Sequence, residues 1–354
     1  MSICKIAIRL IFFAVFAMST SARSNELDER AAVRAQAESA YRAGDFDSLD
    51  RQHSAYSDFL VQRTSSGAFK MTLFFDGITK AQEDESETER LQDITRTLRW
   101  VAEHKDSPLA YVLHACALQS YGSYFRGSGF SDTVPPQAWK VYEQYNQKAA
   151  KYLLENEPVA SKGTSWHAWM LNLVRTSGLS KEVVNRLFEE GVGKNSADFR
   201  LYRNVLEYLL PKWHGDVQAI DTFIGYAVPK APPEYGQELY ARLYSGAGED
   251  QFKRRLYIDT LVDWTKMRQG LELWYKNFPT DWNKNILAYH ACIAGDKALT
   301  EQILKEIGAQ PVWEIWQPSA KATFDTCARW AADPEANPIA PRKKPEALQT
   351  DAAT

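Results

Sequence analysis

Apolar residues recur every three or four positions along most of the chain, the spacing of one buried face of an α-helix. The pattern starts at residue 26. Leu27, Ala31, Arg34, Ala37, Ala40 and Tyr41 form one stripe, and Leu49, His53, Tyr56 and Leu60 form the next. Between them, Gly44 suits the left-handed end of a helix and Asp45 suits the cap of the following one. Further stripes run through Leu91–Val101, Leu109–Tyr121, Trp139–Leu153, Trp166–Val174, Val183–Phe188 and Tyr235–Tyr244. Leu256–Phe278 reads as the clearest single helix, followed by Trp282–Ala294, Lys297–Ile307 and Ser319–Trp330.

The organising stretch is Asn195–Ala227, which predicts two antiparallel helices and a corner. Ser196 is placed to cap the first, and Leu201, Val205, Tyr208 and Leu209 form its apolar face. Pro211 stops it, because the residue before a proline is driven out of the α region. Gly215 frees the corner, and Val217, Ile220, Phe223, Ile224 and Ala227 repeat the stripe. A helix pair of roughly 34 residues has the size of one tetratricopeptide unit, which buries its apolar faces only by stacking on neighbours. No strong strand pattern and no Asn-Gly hairpin turn appears. The expected fold is therefore all-α: an α-solenoid of tetratricopeptide-like helix hairpins over residues 26–332.

One stretch breaks the rhythm. In residues 64–86 the apolar positions Phe69, Met71, Leu73 and Phe75 alternate as in a strand, while Phe69, Leu73 and Gly77 share one helical face. This is where a boundary between two lobes would fall.

The corner Leu209-Leu210-Pro211-Lys212-Trp213-His214-Gly215 resembles the "LLP-basic-WGG" corner of an uncharacterised family of bacterial proteins with tetratricopeptide-like helices, a domain of unknown function. His214 stands where Gly is commoner. The resemblance extends to Gly67–Met71, Tyr124–Phe130 (YFRGSGF) and Ala288–Asp296 (AYHACIAGD). It implies the helical fold, favours helix for Phe69–Gly77, and carries no known chemistry.

Residues 1–22 have the layout of a secretory signal: Lys5 and Arg9, then the apolar run Leu10–Met18, then Thr20-Ser21-Ala22. That run is far shorter than the roughly 20 residues a membrane span needs. A periplasmic or secreted location and no stable membrane span after cleavage are expected. Residues 333–354 are rich in Pro, Ala, Lys and Glu and read as a disordered tail.

The formal net charge is −3, or −5 without the leader's Lys5 and Arg9. That offers no basic field for nucleic acid. The excess of aromatics (11 Trp, 17 Tyr, 16 Phe) fits helix packing or a sticky groove.

No motif singles out catalytic residues, so the chain reads as a non-enzyme. His114-Ala115-Cys116 and His290-Ala291-Cys292 repeat a tripeptide, but residues two apart on a helix point away from each other and cannot share a metal. Gly191–Ser196 lacks the phosphate-loop spacing, and Gly127-Ser128-Gly129 lacks that of a nucleophile elbow. No metal or cofactor is expected. An oxidising compartment permits one disulfide, with Cys292 and Cys327 the pair on nearby helices; three free buried thiols is the simpler alternative.

Arg126 beside the glycine-rich loop could hold a carboxylate or a sugar acid, or could tie that loop to its helix. With Trp139, Trp166, Tyr202 and Trp213 it completes the set of surface or corner residues expected to matter. The function expected is binding of a protein or peptide in a groove along the superhelix. The alternative is a cell-wall glycan binder or degrader.

Overall fold

The computed structural model describes residues 26–127, 129, 133–177 and 180–336. The expected leader lies outside the described residues, as does the tail from residue 337 onward. The architecture is all-α, and among the described residues the only β pairing is an isolated bridge between Arg63 and Phe69. No described helix is long and apolar enough to cross a membrane.

The chain opens with α1 (Glu26–Ala43), α2 (Phe46–Tyr56) and α3 (Lys70–Glu83). Gly44 turns the corner at φ +68°, and the Asp45 carboxylate caps α2 by accepting the Ser48 N–H at 3.0 Å. The α2 helix stops a turn earlier than its stripe suggests: the Ser57 hydroxyl bonds back to the His53 carbonyl, and Leu60 is exposed. The ambiguous stretch resolves as helix, and α3 packs chiefly on α1.

The next elements are α4 (Glu87–Glu103), α5 (Pro108–Arg126), α6 (Pro136–Glu155), the single turn α7 (Glu157–Ala160), α8 (Ser165–Ser177) and α9 (Lys181–Lys194). Ser86 and Glu89 form a capping box on α4. Ser107 caps α5, with Pro108 in its first turn.

The central pair is α10 (Phe199–Tyr208) and α11 (Val217–Ala227). Asp198 rather than Ser196 caps α10: its buried carboxylate accepts the Arg200 N–H at 3.0 Å, and the Ser196 carbonyl serves the Tyr202 hydroxyl. At the corner, a Cβ on Gly215 would lie 2.1 Å from the Leu209 carbonyl oxygen, so only glycine fits. The α10 helix packs more on α8 than on its sequence partner α11.

The chain continues through α12 (Glu238–Ala247), the short α13 (Leu256–Asp259), α14 (Trp264–Asn277), α15 (Asp281–Ala294), α16 (Lys297–Ile307) and α17 (Ala320–Ala332). The single helix expected over Leu256–Phe278 is interrupted. The Thr260 hydroxyl closes α13 on the Leu256 carbonyl (2.6 Å), and Asp263 caps α14 through the Lys266 N–H (3.1 Å). Cys292 on α15 and Cys327 on α17 are disulfide-bonded, and Cys116 is a free, buried thiol.

Most helices pack on near neighbours in sequence, as stacked hairpins do. The segment between α2 and α3 does something else: it inserts between the two ends of the chain. Fully buried Ser66 donates its N–H to Glu26 (2.8 Å), and its carbonyl accepts from Trp274 Nε1 (2.9 Å) and Asn283 Nδ2 (3.0 Å). The Gly67 carbonyl accepts from Arg242 (2.9 Å). Phe69 stacks on Phe199 at 5.1 Å. The Arg63 guanidinium lies 4.6 Å from the Phe69 and Tyr235 rings and 3.5 Å from Glu238. The longest of these contacts span more than 200 positions of sequence, and together they fill with protein the space between α1, α10, α12, α14 and α15.

Candidate functional site

A cavity of about 590 Å³ lies among α3, α4, α5 and α8. Its polar lining comes from interruptions in apolar stripes. Gln119 and Asn172 each break a run of core residues, on α5 and α8 respectively, and meet across the cavity: Gln119 Nε2 donates to Asn172 Oδ1 at 3.0 Å. That bond leaves the Gln119 carbonyl as an acceptor and the Asn172 amide hydrogens as donors. Gln82 is buried and donates to the Tyr41 hydroxyl at 2.8 Å.

Arg90 is also buried here. Its guanidinium is held by the Glu83, Glu85 and Ser120 carbonyls, each at 3.1 Å, and by the Ser120 hydroxyl. Among the described residues its hydrogen-bond partners are thus carbonyl and hydroxyl oxygens. The cationic group is fixed by dipoles, which position it more firmly than a mobile surface carboxylate would. The indole N–H of Trp169, on the same wall, is buried with no partner among the described residues.

Two groups near the cavity carry reactive atoms that burial silences. The Cys116 thiol lines the wall and is raised well above its usual range by desolvation, so it stays protonated. His114, two residues earlier, points elsewhere: Nδ1 meets the Thr97 hydroxyl at 3.0 Å, and burial pushes the ring down to about 4, so it is neutral. The second tripeptide behaves alike. His290 is pushed down to about 3 by burial and is held by Ser245 (3.0 Å) and Tyr257 (3.1 Å), while Cys292 is in the disulfide. Among the described residues no three His, Cys, Asp or Glu side chains are grouped to hold a metal.

Of the residues singled out in the sequence, Arg126 and Trp139 come together beside this cavity. Arg126 ends α5, donates to the Gly127 carbonyl at 2.8 Å and lies over the Trp139 ring at 5.2 Å. Gly127, at φ +67°, lines the cavity. Trp166 and Tyr202 are not surface residues. Trp166 is 2% exposed with its N–H on the Leu153 carbonyl (2.9 Å), and Tyr202 is fully buried with its hydroxyl on the Ser196 carbonyl (2.8 Å). Each ring sits where helices converge, and a backbone acceptor satisfies its polar atom, which makes large aromatics good core residues. Trp213 is half-buried at the corner, under the Arg175 guanidinium at 5.0 Å, and does not line the cavity.

Gln82, Arg90, Gln119, Trp169 and Asn172, which also line it, were not singled out from sequence. The signal available was an amide within an apolar stripe at Gln119 and at Asn172. Comparison with protein-family models, curated proteins and solved structures finds no match for this chain.

Proposed function

We propose that this chain is an extracytoplasmic binding protein that takes an extended stretch of a partner polypeptide at the Gln119–Asn172 cavity. The observation that carries the reading is the paired amides. A peptide group needs one donor and one acceptor side by side, and the Gln119–Asn172 pair leaves one of each free in a cavity that also holds a fixed guanidinium and an unused indole N–H. An apolar ligand would leave those groups unsatisfied. A continuous groove down the middle of the molecule is not the site we favour, because the Ser57–Phe69 segment fills that space. The signal-like leader and the disulfide both support a location outside the cytoplasm. The resemblance to the uncharacterised helical family is compatible with a binding module and adds no chemistry.

The test is a random-peptide display selection on the mature chain, with affinities of the selected peptides measured by fluorescence anisotropy. A Gln119→Ala/Asn172→Ala double variant that melts like the parent should bind those peptides at least about tenfold more weakly, as expected from losing hydrogen bonds worth about 1 kcal/mol each and the specificity they impose. Selected peptides that bind the double variant as well as the parent would overturn the assignment of this cavity.

A further inference from the structure

A second cavity, of about 390 Å³, lies at the other end of the chain, between the end of α12, α14, α15 and the turn Trp313–Trp316. Its volume is at the lower end of the roughly 300–1,000 Å³ usual for small-ligand sites. The backbone around it is irregular. The α12 helix runs into a π turn, Gly248–Phe252, a feature that widens a helix and frequently marks functional sites. Lys253 follows at φ +51°, and beyond the far wall Ser319 stands at φ +62°. These are the only two non-glycine residues with positive φ among the described residues; Lys253 lines the cavity, and Ser319 follows Pro318, which does.

The walls are aromatic. Trp274, Trp282 and Tyr289 line them, on α14 and α15. Trp282 is held from one side by Arg30 at 4.3 Å, and Trp274 by Arg242 at 3.9 Å. Tyr289 meets Trp316 edge-on at 5.8 Å. The rings are therefore fixed in place before any ligand arrives, which lowers the entropy cost of binding. Two carboxylates stand among the polar groups. Glu314 and Glu249 are both exposed to solvent and line the concavity. The Lys253 ammonium is already committed to the Glu249 carbonyl. His290 lines the cavity as a neutral ring with both nitrogens engaged.

Aromatic walls with acceptors suit either a cation or a polyhydroxylated ring. Charge decides between them. Both indoles already carry a guanidinium, Arg30 paired with Glu26 (2.6 Å) and Arg242 with Glu238 (2.7 Å), so the attraction of each ring for a cation is already used on one face and a second cation gains less there. A neutral sugar does not depend on that attraction: its C–H face buries against the rings and its hydroxyls donate to the carboxylates.

We propose that this cavity is a carbohydrate site, with one neutral pyranose unit of a glycan resting on Trp282 and Tyr289 while Glu249 and Glu314 accept its hydroxyl hydrogens. It is separate from the Gln119–Asn172 cavity and does not rest on the peptide-binding reading.

The experiment is a titration of the mature chain, read by intrinsic tryptophan fluorescence and calorimetry, with chitooligosaccharides, β-glucan oligosaccharides and soluble peptidoglycan fragments. Sedimentation with insoluble peptidoglycan and chitin accompanies it. At least one sugar is expected to bind and to lose about tenfold or more in affinity in both Trp282→Ala and Glu314→Gln. The latter changes an exposed side chain and leaves folding intact. The Gln119→Ala/Asn172→Ala variant should bind the sugar as the parent does. The proposal is overturned if no sugar in the panel binds at millimolar concentration, if binding survives both cavity variants, or if oligolysine binds through Trp282 in place of any sugar.

Discussion

Gly67 shows how closely single residues are determined in this molecule. It sits at φ +80°, and a Cβ there would lie 2.7 Å from both the Arg242 guanidinium and the Phe278 ring. Backbone strain and overpacking add, so Gly67→Ala should cost about 3 kcal/mol in urea unfolding; an unchanged midpoint would contradict the close approach. The aromatic rings divide by burial. Trp166→Ala should cost about 3–5 kcal/mol, as truncation of a buried indole does. Trp213→Ala should cost clearly less, about 1–2 kcal/mol, since the ring is half-buried and its main charged contact is Arg175. Parallel melts of the two variants test that order. A third residue-scale effect concerns pH. Glu85 Oε2 and Asp93 Oδ2 are buried with no hydrogen-bond donor among the described residues, and the Glu85 carboxyl is pushed up to about 7 by burial and by the neighbouring Asp93. Arg42, Glu89, Arg90 and Arg96 surround the pair. A folded-state value above the ordinary carboxylate range means that the folded protein holds a proton the unfolded chain releases. That contribution is complete below about pH 4.5 and is lost as pH rises through about 7. Melting temperature attributable to this site should fall across that window, and Glu85→Gln should flatten the fall.

At the scale of elements, the caps and stripes did most of the specifying. Asp45, Ser86, Ser107, Asp216 and Asp296 each cap the helix that follows, and their side chains stand in sequence where a helix start is expected. The errors have equally local causes. Ser196 and Asp198 are both good caps two residues apart, and the buried bridge from Asp198 to Arg200 decides between them. Leu256–Phe278 keeps helical spacing across Thr260–Asp263, yet two side-chain bonds to the backbone break it there, a competition that spacing alone does not display. The disulfide ties α15 to α17 across 35 positions. Replacing Cys292 and Cys327 together by Ala should cost about 3–4 kcal/mol. Thermal melts with and without reductant check this: the parent should lose stability on reduction, and the double variant should not respond.

At the scale of the whole molecule, an all-α class was legible because 3.6-residue periodicity is written along the chain. What periodicity does not encode is contact between distant segments. Residues 64–69 read as a pause between helices. In the structure Ser66 and Gly67 receive side chains from more than 170 positions away. The two cavities were illegible for the same reason: Gln119 meets Asn172, and Trp282 and Glu249 come to line one concavity, only after folding. The central claim is that this segment is core, which leaves the proposed binding to discrete cavities. Hydrogen–deuterium exchange of the amides of Thr64, Ser66, Gly67 and Ala68, all hydrogen-bonded within the protein, tests it most directly. The account predicts that they exchange as slowly as those of α8 and α10, by global unfolding. Exchange orders of magnitude faster, as in an exposed loop, would mean that the middle of the molecule is open and the groove is available after all.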